Sequence, residues 1–484
     1  MVILFVIILY FALLMLIAWV TGKKSAHNEA FFLGSRKSPW YVVAVGMVGS
    51  SLSGVSFVSV PGWVRQTDMT YMQMVAGFFF GYVLIAKILL PLYYRLNLTS
   101  IYTYLQRRIG RSGYKTGAAF FILSKMTGAA ARLYLVALIL QIYVFEQWHI
   151  PFGVTAAAGV ALIWLYTYRS GVKTIIWTDT LQAVCLVGML AAIIWQVKGT
   201  LGLDADGLVR SITESAHFRM FEFGDWGSSQ HFVKQFLSGI FITVVMTGLD
   251  QDMMQKNLSC RNLKEAQRNM YTYGFAFTPI NFMFLCLGIL LINAASQMHL
   301  ELPASGDDIL PMFCASGALG NAILVFFTVG IIAAAFSSAD SALTALTTSF
   351  CIDILEVGRE DAEKARRTRM RVHLLMSVVF VLIILAFKAI NSRSVIDAIY
   401  RIASYTYGPL LGLFAFGLYT KRTPKDRLVP AVCILAPAVC FIVEYIVSSL
   451  SGYRFGYEIL MLNGAITFAG LRICACKPSV ITNT

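Results

Sequence analysis

The sequence predicts an all-α membrane protein of 13 transmembrane helices, containing two five-helix repeats of opposite membrane orientation. Three observations predict it. Of 484 residues, 58% are hydrophobic and 13% charged, with mean hydropathy +0.70, a balance that excludes both a soluble domain and a disordered chain. The apolar residues gather into runs of about twenty, the length that crosses a hydrocarbon core. The second and seventh runs are interrupted by small and polar residues, and a separation of five spans is what two units of odd span number, inverted relative to each other, would give.

The runs lie near residues 1–20, 40–64, 70–95, 116–145, 150–168, 173–198, 232–256, 268–295, 320–355, 372–390, 395–419, 428–449 and 456–473. The first has no positive segment before it and no small-x-small cleavage site after it, and the pair Lys23-Lys24 follows, so it reads as a retained span rather than a leader. Run 40–64 holds Gly46, Gly49-Ser-Ser-Leu-Ser-Gly54, Ser56, Ser59 and Pro61-Gly62. Unwound backbone at membrane depth is tolerated only where it is buried or lines a cavity, so a break here points to a binding site, with close packing through small residues as the simpler alternative. In run 116–145, Arg132 lies about 24 Å from the inner end at 1.5 Å per residue, near mid-membrane. A guanidinium there either pairs with an internal carboxylate such as Asp340 or grips an anionic solute. Lys87 and Lys125 sit nearer span ends and read as cations that snorkel to the interface. Run 173–198 carries Asp179 about 9 Å from its inner edge, deep enough to suit a cation path. Segment 199–231, the longest outer loop, contains Asp204, Asp206, Glu214 and Glu222 and suits short helices or a lid. Run 232–256 breaks at Thr247-Gly-Leu-Asp-Gln-Asp252, and segment 356–371 reads as a solvated helical extension.

Run 320–355 is the most informative. Within Ile331–Leu355, Ala334, Ser337, Ser338 and Ser341 share an arc of about 100°, with Asp340 about 60° beyond its edge. A carboxylate and three hydroxyls in hydrocarbon must face a neighbouring helix or a watery cavity. Hydroxyls with backbone carbonyls are what a small hard cation takes in place of its water. Ordinary helix–helix hydrogen bonding explains the hydroxyls but not the carboxylate.

The formal charge of +14 is accounted for by topology. With the N-terminus outside, 27 of the 39 Lys and Arg fall in inner segments (256–268 among them) and eight on the outer side, the bias expected of cytoplasmic loops. No nucleic-acid partner is needed. The nine cysteines contain no CxxC pair, and Cys474-Ala-Cys476 has no His nearby, so neither a disulfide nor a structural metal is expected. The segments are then an N-terminal helix (1–20), a first repeat (40–198), an outer loop (199–231), a second repeat (232–419), two C-terminal helices (428–473) and a cytoplasmic tail (474–484), in a plasma membrane and working as a monomer.

Several separated motifs together resemble the solute:sodium symporter family. They are the broken run ending Pro61-Gly62, Ile101-Tyr-Thr-Tyr-Leu-Gln-Arg-Arg-Ile-Gly110, Trp177-Thr-Asp-Thr-Leu-Gln182, Gly248-Leu-Asp-Gln-Asp-Met-Met-Gln255, Ala335-Phe-Ser-Ser-Ala-Asp-Ser341 and Tyr405-Thr-Tyr-Gly-Pro-Leu-Leu-Gly412. The resemblance spans nearly the whole chain and implies a core of two inverted five-helix repeats (spans 2–6 and 7–11), with one helix before and two after, and sodium-driven uptake by alternating access. It implies a main sodium site made of the Gly49, Leu52 and Ala334 carbonyls and the Ser337 and Ser338 hydroxyls. It places a second sodium, or an ion path, at Asp179 with positions 340 and 341. Here Asp340 stands beside Ser341, where members with two sodium ions carry two hydroxyls. It places solute beside the broken run, near Ser51, Ser53 and Ser56, with help from Gln73 and Asp250; Arg132 is a further candidate from its own depth in the membrane. Such hydroxyl-rich positions suit a polar organic solute: a sugar, a sugar acid such as sialic acid, or an amino acid.

Two other mechanisms fit parts of the pattern. Proton coupling through Asp179 or Asp340 would keep the transporter but change the driving ion. An intramembrane aspartyl protease would use Asp179 and Asp340 as its dyad, against the absence of a Gly-x-Gly-Asp context.

Overall fold

The computed structural model describes residues 2–22, 28–145, 148–168, 171–357, 362–390, 395–453 and 455–476. Lys23-Lys24 and most of the predicted tail, 477–484, lie outside the described residues. Helices occupy all the apolar runs: α1 (Val2–Gly22), α2 (Trp40–Ser51), α3 (Gly54–Thr67), α4 (Tyr71–Arg95), α5 (Arg111–Leu140), α6 (Phe152–Thr167), α7 (Gly171–Thr200), α8 (Phe232–Gly248), α9 (Gln251–Asn257), α10 (Leu263–Gln297), α11 (Asn321–Ser349), α12 (Ala362–Ile390), α13 (Val395–Tyr419), α14 (Val429–Ser451) and α15 (Ile459–Ile473). Among the described residues, seven are long and apolar enough to cross a membrane, and the bent pairs α2/α3 and α8/α9 each pass the same test as a unit. α1, α6 and α15 are shorter apolar helices.

The outermost helices show their apolar side chains. Ile434, Leu435, Phe441, Tyr445 and Leu450 of α14 are all more than half exposed, which suits acyl chains rather than water. α11 is the opposite case: every residue from Phe327 to Ser349 is buried. Its polar arc therefore faces protein, as a carboxylate-bearing helix requires. It packs against α7, α5, α3, α2 and α9, and so lies at the centre of the bundle.

Both predicted interruptions are present. α2 and α3 meet at 61°, and α8 and α9 at 70°. Segment 199–231 carries a short helix, Ala205–Thr213, whose first turn is capped by Asp204 accepting from the Gly207 N–H at 2.6 Å.

Candidate ion and solute site

At the first break, Leu52 (φ −80°, ψ 93°) and Ser53 (φ −85°, ψ 168°) leave helical geometry. The carbonyls at the end of α2 and at its cap, Gly49 to Leu52, thereby lose the N–H groups that a continuous helix would bring to them. Close packing accompanies the break: a Cβ on Gly49 would stand 2.6 Å from the Asp179 carbonyl oxygen, and one on Gly54 would collide with Val136 of α5.

The second break is held by segment 93–102, through two tyrosine side chains and two backbone groups. Tyr93 Oη donates to the Gly248 carbonyl and Tyr102 Oη to the Leu249 carbonyl, each at 2.9 Å. Gln251 donates to the Thr99 carbonyl and accepts from the Ile101 N–H. Carbonyls freed by the kink thus find partners, as a low-dielectric interior demands. Asp250 caps α9, accepting from the Asp252 and Met253 N–H groups.

The five oxygens predicted to hold sodium lie on two elements that touch. Ser338 Oγ donates to the Ala334 carbonyl at 3.1 Å and reaches the Ser50 carbonyl, at the end of α2, at 3.5 Å. Ser337 Oγ instead donates to Asp179 Oδ1 at 2.7 Å. Asp179 is fully buried and joins four helices. Its Oδ2 accepts from Ser50 Oγ (2.7 Å) and Ser341 Oγ (3.1 Å) and stands 2.9 Å from Lys256 Nζ.

Lys256 corrects the sequence reading, which counted it with the inner loop. The 70° bend turns α9 inward and leaves the side chain 2% exposed. Lys125 is a second correction. The α5 helix starts at Arg111, ahead of the predicted edge at 116, so Lys125 sits mid-helix and does not snorkel. It meets Asp252 Oδ2 at 2.7 Å and Asp250 Oδ2 at 3.2 Å. Asp252 Oδ1 also faces Lys256 Nζ at 3.3 Å, and Tyr407 Oη of α13 donates to Asp250 at 2.8 Å. A line of alternating charge therefore runs Asp179, Lys256, Asp252, Lys125, Asp250 and ends at Tyr407.

Arg132 does not pair with Asp340. Tyr166 Oη of α6 donates to Asp340 Oδ2 at 2.8 Å, and Oδ1 has no partner among the described residues. Arg132 instead lines a cavity of about 120 Å³ together with Ser51, Ser56, Ser124, Lys125, Thr243, Asp250, Tyr273 and Tyr407. Its guanidinium makes no ion pair among the described residues. Ser51 Oγ lies 2.5 Å from Tyr273 Oη. Two predicted solute contacts stand apart from the lining. Ser53 is buried at the start of α3. Gln73 is bound into segment 199–231, donating to the Gln230 carbonyl and accepting from the Glu222 N–H. Tyr71 lines both this cavity and a second one bordered by Trp63, Gln66 and Asp307.

Sequence reasoning missed Lys256, Lys125, Asp252 and Tyr407. The legible signal was Asp252 four residues before Lys256, a pair that a helix brings together.

Residues 31–426 match the family model described as Sodium:solute symporter family. The chain belongs to that family. The symporter is thus a multi-pass membrane transporter and not an enzyme, which removes the aspartyl protease reading. It is 23% identical over 445 residues to the sodium/sialic acid symporter SiaT of Proteus mirabilis, covering 89% of this chain and 87% of that protein. It is 25% identical over 428 residues to the sodium/sialic acid symporter NanT of Aliivibrio fischeri, covering 85% and 82%. A solved substrate-bound, outward-open sodium-coupled sialic acid symporter superposes with a TM-score of 0.84 over 99% of both chains at 20% identity, which shows the fold.

Proposed function

We propose that this symporter uses the inward sodium gradient to import a small polar organic solute bearing a carboxylate, with sugar acids such as sialic acid foremost. The observation that carries the reading is Arg132, which lines a cavity together with hydroxyls and has no carboxylate of the described residues paired to it. A planar guanidinium matches a carboxylate with two parallel hydrogen bonds, while Ser51, Ser56, Ser124 and Thr243 supply the partners that a polyhydroxylated body needs. The sialic acid symporters among the relatives support the same class of cargo.

Sodium is held by the Gly49, Leu52 and Ala334 carbonyls with Ser337 and Ser338, bridging the broken α2/α3 pair to α11. Bound there, it favours the arrangement in which the adjoining solute cavity is formed, so the affinities for ion and solute rise together. Thirteen spans, two inverted five-helix repeats, an outer N-terminus and a plasma-membrane location complete the reading, with the monomer as the working unit.

The test is uptake by the purified chain in proteoliposomes, with labelled sialic acid, neutral sugars and amino acids offered under a sodium or a proton gradient. Sodium should drive uptake of a carboxylate-bearing solute. Arg132→Gln should lower its apparent affinity about 10- to 150-fold, the range for losing a hydrogen bond to a charged group. Uptake driven by protons without sodium, or indifferent to Arg132→Gln, would sink the proposal.

A further inference from the structure

Lys256 Nζ is surrounded as an alkali cation would be. Four oxygens face it: Asp179 Oδ2 at 2.9 Å from α7, Ser341 Oγ at 2.8 Å and Ser50 Oγ from α11 and α2, and Asp252 Oδ1 at 3.3 Å from its own helix. Two are carboxylate oxygens and two are hydroxyls, and the ammonium is 2% exposed. We infer that Lys256 is a tethered cation occupying the Asp179–Ser341 site, so that this symporter binds one sodium ion and not two. This rests on the sodium-coupled reading above and adds the number of ions to it.

The physical argument is one of occupancy and charge. An ammonium group presents three N–H donors on a compact single charge, and this shell offers them oxygens at hydrogen-bond distance. A sodium ion sharing the Asp179 carboxylate would lie within about 4 Å of Nζ. At an effective dielectric near 20 that repulsion lowers its affinity about a thousandfold. The tether also removes the entropy loss that a free ion suffers on binding. Two features hold the lysine in place: α9 is fixed at its start by the Asp250 cap, and Asp252, one helical turn earlier, flanks the ammonium. The remaining ion position is the one between the end of α2 and Ser338, where Ser338 Oγ already bonds the Ala334 carbonyl.

Equilibrium binding of 22Na+ to the purified full chain tests this, with ions counted per chain. The wild type should bind one. Two ions on the wild type would overturn the inference and leave sodium coupling intact, whereas none would overturn the sodium-coupled reading itself and this inference with it. Lys256→Met should gain a second ion, because Asp179 is left without its cation, and the affinity at that site should rise about a thousandfold over the wild type. Lys256→Met that still binds a single ion would refute the tethered-cation role. Should that variant fail to fold, Asp179→Asn/Lys256→Met, which loses both charges together, should bind one ion like the wild type; a second ion there would count against the inference.

Discussion

Asp179 and Lys256 invite a double-mutant cycle. They lie 2.9 Å apart with side chains 0% and 2% exposed. At that distance and an effective dielectric near 20 the attraction is about 6 kcal/mol. Withdrawing two ions from water opposes it by several kcal/mol each, so the net stabilisation of the pair is small. Removing one partner is a different matter, since it strands the other charge, typically at about 3–5 kcal/mol. Here each stranded group keeps some support. Asp179 retains three hydroxyl donors, and Lys256 retains Asp252 at 3.3 Å. Asp179→Asn and Lys256→Met should therefore each destabilise the chain by about 3 kcal/mol, at the low end of that range. The double variant should lose about 1 kcal/mol, less than either single change, because no uncompensated charge remains. Denaturant or thermal unfolding of the purified protein in detergent, followed by tryptophan fluorescence, measures all three. Additive losses, with the double variant weakest, would show that the two groups do not act as a pair.

Two further perturbations probe the ion site and the packing beneath it. Ser337→Ala/Ser338→Ala should raise the sodium concentration needed for half-maximal uptake at least about 10-fold, at roughly 1 kcal/mol per lost oxygen contact; unchanged sodium dependence would refute the site. Gly49→Ala places a methyl 2.6 Å from the Asp179 carbonyl oxygen, a backbone atom with little room to move, and should destabilise the protein by about 1–3 kcal/mol. Gly188→Ala in α7, with nothing within 4 Å of its would-be Cβ, serves as the near-neutral control for the same unfolding measurement.

Hydrophobic run length and helix-breaking composition carried most of the architecture, because both act locally. Gly49-Ser-Ser-Leu-Ser-Gly54 cannot sustain a helix well, and it does break at Leu52–Ser53. Thr247-Gly-Leu-Asp likewise ends α8, with Asp250 in the role its residue type favours, a helix cap. The polar arc of α11 was legible because a carboxylate in a membrane helix must turn inward, and Asp340 does. The partners of that arc were not legible. Lys256 follows a kink, and a bend of 70° changes its environment from loop to interior without altering any local pattern. Arg132 and Asp340 looked like a pair because both were central, but sequence fixes depth along a helix and not azimuth between helices. Tyr166 takes Asp340, and Arg132 faces the cavity.

The line of alternating charges gives the proposed ion and solute sites a physical connection. Asp179 lies on α7 and accepts from Ser337 of α11, while Asp250, at the other end, borders the cavity and accepts from Tyr407 of α13. Lys256 and Asp252 between them belong to α9, and Lys125 to α5. Each charge in this line is flanked by opposite charges at 2.7–3.3 Å, so moving one of these helices alone would separate buried ions at a cost of several kcal/mol. Small independent shifts are thereby disfavoured, and the helices are constrained to move together or not at all. Such all-or-none behaviour is what makes a transporter coupled. On the proposed reading, a sodium ion that biases α11 against α2 would bias the far end of the same network, where Lys125 and Asp250 line the cavity with Arg132.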